Sequence, residues 1–204
     1  TPAVVDLDGD AVADRVYAGS LHGGLWAFDI SSASPAAWGI ANGHQPLFVA
    51  ANNAGDPQPI TTRPQIIHHP SVSGGPDPNV MVLFGTGQYL IEADKATTDI
   101  QSFYGIWDRG ENNRIRSHLQ AQTLVAGTGA SVRLITENDV NYTGAGGPLQ
   151  YGWYLDLEAG ERVASDYLVR SGIIYFNTQI PDERPCAFGG SGWLMSVQAG
   201  NGSS

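Results

Sequence analysis

Asp6-Leu7-Asp8-Gly9-Asp10-Ala11-Val12-Ala13-Asp14 places four carboxylates within nine residues. Two carboxylates about 4 Å apart repel by roughly 4 kcal/mol at an effective dielectric near 20. A hard divalent cation turns that repulsion into binding. The spacing matches positions 1, 3, 5 and 9 of a calcium loop, with Gly9 easing the tight backbone path and the Val12 carbonyl at position 7. The expected side-chain ligands are therefore Asp6, Asp8, Asp10 and Asp14, the main-chain ligand is Val12, and the expected cofactor is Ca2+. The competing reading is a solvated acidic turn.

The residues after the loop decide which calcium module this is. A helical EF-hand closes with a bidentate Glu at position 12, where this chain has Tyr17. Arg15-Val16-Tyr17-Ala18-Gly19 favours a strand over the exiting helix of an EF-hand or dockerin repeat, and Ala3-Val4-Val5 reads as a strand on the other side. The unit expected is strand–calcium loop–strand.

The bulk composition narrows the function classes. With 204 residues the chain is long enough for one domain with a real core. Its 26 glycines and 12 prolines mark many turns, while 42% hydrophobic residues exclude wholesale disorder. The formal net charge is -10 and Lys95 is the only lysine, so nucleic acid and anionic membranes are poor partners. The acidity suits an extracellular calcium-binding protein. No run of eighteen apolar residues is present to span a membrane, and no signal peptide is visible. Because the chain opens on Thr1-Pro2 beside the acidic loop, the expectation is an excised or processed piece. Cys186, the only cysteine, has no internal disulfide partner. It is expected to be a buried small hydrophobe, or to pair with a segment outside this chain.

Outward from the loop, strand signals come as short hairpins with glycine at the turns. Arg15–Ser20 leads through Leu21-His22-Gly23-Gly24 into Leu25–Asp29. Val80–Gly85 is expected to turn at Gly85-Thr86-Gly87 into a strand over Gln88–Ile91. Further strands are read at Gln101–Asp108, Gly152–Leu157, Ile173–Thr178 and Gly192–Val197. A loose repeat recurs at 15–29, 80–91 and 173–197: an apolar strand ending at Gly, a glycine turn, then an aromatic-rich strand. That pattern points to propeller blades, with a β-sandwich as the alternative. Ala50–Gly55 and Ser71–Asn79 read as surface loops, Arg114–Gln122 has some helical character, and Thr136–Asp139 could open a helical turn. Trp26, Trp107 and Trp193 are expected in the core between blades.

Three separated motifs carry a family resemblance. They are Val5–Asp10 through Asp14–Gly19 with Gly24–Asp29, then Phe84–Leu90 followed by Gln101–Asp108, then Cys186 followed by Gly189–Leu194. In this order they resemble the C-terminal domain of the PilY/PilC proteins of type IV pili. The resemblance implies an all-β fold, part of a modified, quinoprotein-like β-propeller. It also implies a place at the bacterial cell surface, pilus tip or outer membrane. The implied roles are pilus assembly, control of extension against retraction, and host or surface attachment. In that family a calcium loop of this type influences whether pili are extended or retracted, and by motif position that role falls on Asp6, Asp8, Asp10, Val12 and Asp14. The implied partners are minor pilins or other pilus tip components and a host-surface ligand. The family propeller is larger than this chain, so residues 1–204 are expected to be a single-domain fragment, an open arc completed by missing blades or another chain. Arg-Gly-Asp is absent; Asp108-Arg109-Gly110 reads differently and does not support integrin binding.

Other chemistry is weakly represented. His68 and His69 are neighbours that point to opposite faces of a strand, and His22, His44 and His118 are isolated. Gly189-Gly190-Ser191-Gly192-Trp193 falls short of a nucleophile elbow because Trp stands at its last position. Asn141-Tyr142-Thr143 and Asn201-Gly202-Ser203 match glycosylation acceptors but are expected to be chance matches. The expectation is a non-enzymatic calcium-binding module. Two rivals remain: a quinoprotein-type dehydrogenase fragment, and an integrin-like calcium-repeat binding module. The second predicts several acidic loops, whereas Asp77, Asp94-Lys95 and Asp156-Leu157-Glu158 do not repeat the spacing.

Overall fold

The computed structural model describes residues 1–73, 78–111, 114–126, 132–182, 184 and 189–204. Its strands form three main sheets. In the first, β1 (Ala3–Val5), β2 (Arg15–Gly19) and β3 (Gly24–Asp29) make an antiparallel meander. β4 (Gly39–Ile40) and β5 (Phe48–Val49) pair with opposite ends of β3. The second sheet begins with β6 (Gln65–His68), β7 (Val80–Gly85) and β8 (Ser102–Asp108), all antiparallel. After β9 (Gln120–Gln122) and a small hairpin of β10 (Leu124–Ala126) and β11 (Arg133–Ile135), β12 (Gly152–Asp156) returns between β8 and β9. The third sheet is β13 (Leu168–Arg170), β14 (Ile173–Asn177) and β17 (Leu194–Gln198). Within the β14–β17 connection, β15 (Ile180–Pro181) pairs with β16 (Gly190–Ser191). The fold is all-β, as the strand signals require, and no sheet closes on itself among the described residues.

The second sheet lies between the other two, and β7 shows why. All six of its residues are buried, so both faces need apolar side chains and the strand reads as a continuous run. Val80, Val82 and Phe84 pack with Tyr17, Leu25 and Phe48 of the first sheet. Met81 and Leu83 pack in a second cluster with Trp153, Ile174, Phe176 and Val197. Fully burying one such side chain stabilises by roughly 1.5–3 kcal/mol. The outer strands need only one apolar face and alternate accordingly: β17 buries Met195 and Val197 while Leu194, Ser196 and Gln198 are exposed. Gly105 of β8 is required at its position because a Cβ there would strike the Trp153 indole.

Several sequence expectations change at this level. No strand forms over Gln88–Ile91. The Asp94 carboxylate takes the Leu90 and Ile91 amides at 2.7 and 2.9 Å and the Gln88 side-chain amide at 2.8 Å. Those amides are therefore lost to a ladder, and the chain enters a 3-10 turn at Glu92–Ala96. β7 pairs instead with β8, so the second repeat unit is not a tight hairpin. Helical character in Arg114–Gln122 shrinks to one 3-10 turn, Arg116–His118, before β9. Thr136–Asp139 forms no helix, because the Thr136 hydroxyl and Asn138 amide bind the Gln122 side chain. The last strand starts at Leu194, not Gly192. Trp107 is buried in the second cluster and Trp193 packs at its margin, but Trp26 belongs to neither cluster; the fully buried tryptophan is Trp153. Cys186 and Asp77 lie outside the described residues.

Candidate metal centre

The acidic loop joins β1 to β2, as the sequence requires. Its closure comes from backbone and carboxylate hydrogen bonds. The Asp14 amide donates to the Val5 carbonyl at 2.9 Å, and the Leu7 amide donates to Asp14 Oδ2 at 2.7 Å. Asp6 accepts twice, from the Gly9 amide at 2.7 Å and the Ala11 amide at 2.8 Å. These amides, Gly9 first, hold the Asp6 carboxyl below the ordinary carboxylate range. Gly9 has φ +83° and so fills the role assigned to it. Ala11 has φ +69°, a left-handed conformation at the sixth loop position where an EF-hand places glycine. Sequence reading passed over that residue because alanine carries no signal for a positive φ.

Asp6, Asp8 and Asp14 converge, each offering a carboxylate oxygen within 4.8 Å of the others. Oxygens sharing one calcium ion at about 2.3–2.6 Å each lie within about 5 Å of one another, so the three fit a hard cation. Asp10 stands outside this trio, with its Oδ1 accepting from the Val12 amide at 2.7 Å. Val12 is exposed beside it. The remaining sequence candidates do not converge. His68 is exposed and His69 buried, and no histidine joins a metal-ligand cluster among the described residues.

The far side of the loop is anchored to the interior. Val5 and Leu7 pack against the core shared by the first two sheets. Arg15, which follows Asp14 directly, pairs with Asp108 Oδ2 of β8 at 2.8 Å. The Tyr17 hydroxyl donates to the same oxygen at 2.7 Å, and the Gly110 amide donates to Oδ1 at 2.7 Å. Asp108 is fully buried, and this cation, hydroxyl and amide compensate its charge. Burial and the adjacent carboxylate push the Tyr17 phenol well above its ordinary range, so it stays a donor. Sequence reading gave Asp108 no role. Its one local signal was a lone carboxylate closing an apolar, aromatic strand.

Comparison with known proteins fits this architecture. A family model described as the PilY1 beta-propeller domain matches residues 1–145. A type IV pilus biogenesis factor PilY1 homolog from Xylella fastidiosa strain Temecula1 is 36% identical over 98% of this chain and 14% of its own length. The PilY1 of Pseudomonas aeruginosa strain PAO1 is 33% identical over 97% of this chain and 20% of its own length. The crystal structure of the Pseudomonas aeruginosa PilY1 C-terminal domain superposes with a TM-score of 0.84 at 30% identity, covering 99% of this chain and 47% of that one. No helix among the described residues is long and apolar enough to cross a membrane. The three stacked sheets, the acidic loop at their edge and these matches lead to one assignment: the chain belongs to the PilY1 β-propeller family of type IV pilus biogenesis factors.

Proposed function

We propose that this chain is a calcium-binding propeller segment of a type IV pilus biogenesis and adhesion protein. Its role is non-enzymatic and is exercised outside the cell, at the pilus tip or outer membrane. There it contacts minor pilins or other tip components and a host-surface ligand, and takes part in assembly, in the balance of extension against retraction, and in attachment. Further blades or another chain complete its propeller. The observation that carries the calcium reading is the convergence of Asp6, Asp8 and Asp14 within 4.8 Å. Asp10, the Val12 carbonyl and water complete the shell of six to eight oxygens that calcium takes. Calorimetry tests the proposal. One ion per chain should bind with a Kd on the order of 10⁻⁵ to 10⁻³ M, weak because no twelfth-position Glu adds a bidentate clamp. Asp8→Asn should weaken binding strongly, and Asp10→Ala less, because Asp10 stands outside the trio. The absence of calcium-dependent heat in the wild-type chain would refute the reading.

A further inference from the structure

We propose that Asp108 is a positioning residue for the acidic loop, so that cation occupancy of the loop and closure of the seam between the first two sheets are coupled through it. The inference rests on the calcium reading above and adds a residue distant in sequence to that site. Asp108 lies 93 residues beyond Arg15 and offers no ligand to the loop. It nevertheless binds the two β2 side chains nearest the loop on the inward face, Arg15 and Tyr17.

The geometry makes a short chain of obligate contacts. Asp14 is covalently joined to Arg15, and Arg15 sits opposite both Val5 and Asp29 in the ladder. The Asp14 carbonyl takes the Ile30 amide at 2.8 Å, and its side chain takes the Leu7 amide. Asp14 is thus fixed from three directions before any ion arrives. Arg15 and Tyr17 then fix β2 itself against β8, through one oxygen of a carboxylate that has no access to water. The other oxygen is held by Gly110, so the carboxylate cannot rotate to follow a displaced strand without losing a hydrogen bond inside the fold. Leu7 provides a second link, since it sits between the ligands Asp6 and Asp8 while packing against the same inter-sheet core. An ion that draws Asp6, Asp8 and Asp14 together therefore acts on residues already fastened to the seam. By linkage the influence is reciprocal: whatever loosens the seam weakens the ion, by the same factor by which the ion tightens the seam.

The test is calcium calorimetry on the full chain, its Asp108→Asn and Tyr17→Phe variants, and Met195→Ala as a control that loosens the opposite seam. Asp108→Asn should raise the calcium Kd about fivefold or more, and Tyr17→Phe should raise it by less. Met195→Ala should leave Kd unchanged although it lowers the melting temperature. Hydrogen exchange on the wild-type chain supplies an independent readout, which also serves if Asp108→Asn does not fold. Calcium should slow exchange at the Gly110 amide, which lies in the second sheet's loop and touches no candidate ligand. Equal calcium affinity in Asp108→Asn or, where that variant does not fold, in Tyr17→Phe would overturn the coupling while leaving the calcium site intact. So would an equal loss in Met195→Ala, or protection confined to residues 6–16. A wild-type chain without calcium binding would overturn the calcium reading and this inference with it.

Discussion

The two seams of the molecule are built differently. Between the second and third sheets the contact is mostly dry. Phe103 stacks on Phe176 at 4.4 Å and meets Tyr167 edge-on at 5.1 Å, with Trp153 alongside. Polar groups there reach backbone carbonyls, as where the Trp153 indole donates to the Ala199 carbonyl at 3.0 Å and the Tyr167 hydroxyl lies 2.7 and 2.9 Å from the Leu83 and Arg63 carbonyls. Between the first and second sheets, buried and half-buried polar groups form networks. Asp108 gathers Arg15 and Tyr17, and further along Gln58 donates to the Ser102 hydroxyl at 2.8 Å. Arg116 joins Tyr104 at 2.7 Å, pairs with Asp156 and lies 3.7 Å from the Tyr154 ring. A dry seam is held by apolar area and tolerates small slips. A seam of buried charges is more sensitive to displacement, because each group is left without its partner. The acidic loop is attached to the second kind, which is the kind that can transmit a local change.

The largest effect that could break this contrast is in the dry seam. Trp153→Ala should cost about 3–5 kcal/mol, read by urea unfolding, from lost contact plus the cavity left behind. A loss under about 1 kcal/mol would mean the seam is not held by its aromatic packing. Next is Asp108→Ala, which leaves Arg15 and Tyr17 facing a buried void. About 3 kcal/mol is expected from breaking a buried pair. If that variant were as stable as the wild type, the polar seam would not depend on its carboxylate. Third, calcium at a hundredfold excess over its Kd should stabilise the fold by about 2.7 kcal/mol. Superimposable melting curves in calcium and in chelator would reduce the loop to a turn.

The smallest effect is a pH dependence on the dry side. His69 is buried between Trp107 and Tyr142, each at 4.3 Å, and its Nδ1 accepts the Ser71 and Val72 amides at 3.2 and 3.0 Å. Burial lowers its pKa from 6.5 to about 4. Between those values the unfolded chain binds the proton and the folded one does not, so stability falls as pH drops through that window. The contribution is fully present above 6.5. His69→Gln should flatten that slope when melting temperature is followed against pH. An unchanged slope would assign the acid sensitivity to the carboxylates instead.

Part of this was legible in the chain itself. The acidic spacing singled out a loop in which Asp6, Asp8 and Asp14 converge, because the spacing within a short loop is local and survives folding. The same spacing includes Asp10, whose amide donates to Asp8 Oδ1 and whose own Oδ1 takes the Val12 amide, outside the convergent trio. The β2–β3 hairpin was readable because a glycine turn joins two apolar strands over a few residues. The partner of β7 was misread because the capture of the Leu90 and Ile91 amides by Asp94 leaves no trace in hydrophobic alternation. The importance of Trp153 over Trp26 was hidden for a related reason. An aromatic on a strand looks the same whether its face meets another sheet or lies on the outer side.

By itself the sequence determined the all-β class, the strand–acidic loop–strand unit and the family, since each rests on residue types at short, fixed spacings. Only the tertiary structure decided which sheet lies in the middle, and that β7 is covered on both faces. It alone also showed that Arg15 and Tyr17 meet a carboxylate 93 and 91 residues away. The reason is physical: strand direction and turn geometry are set by neighbours along the chain. The partner of a buried charge is set by which surfaces come together when apolar area leaves water.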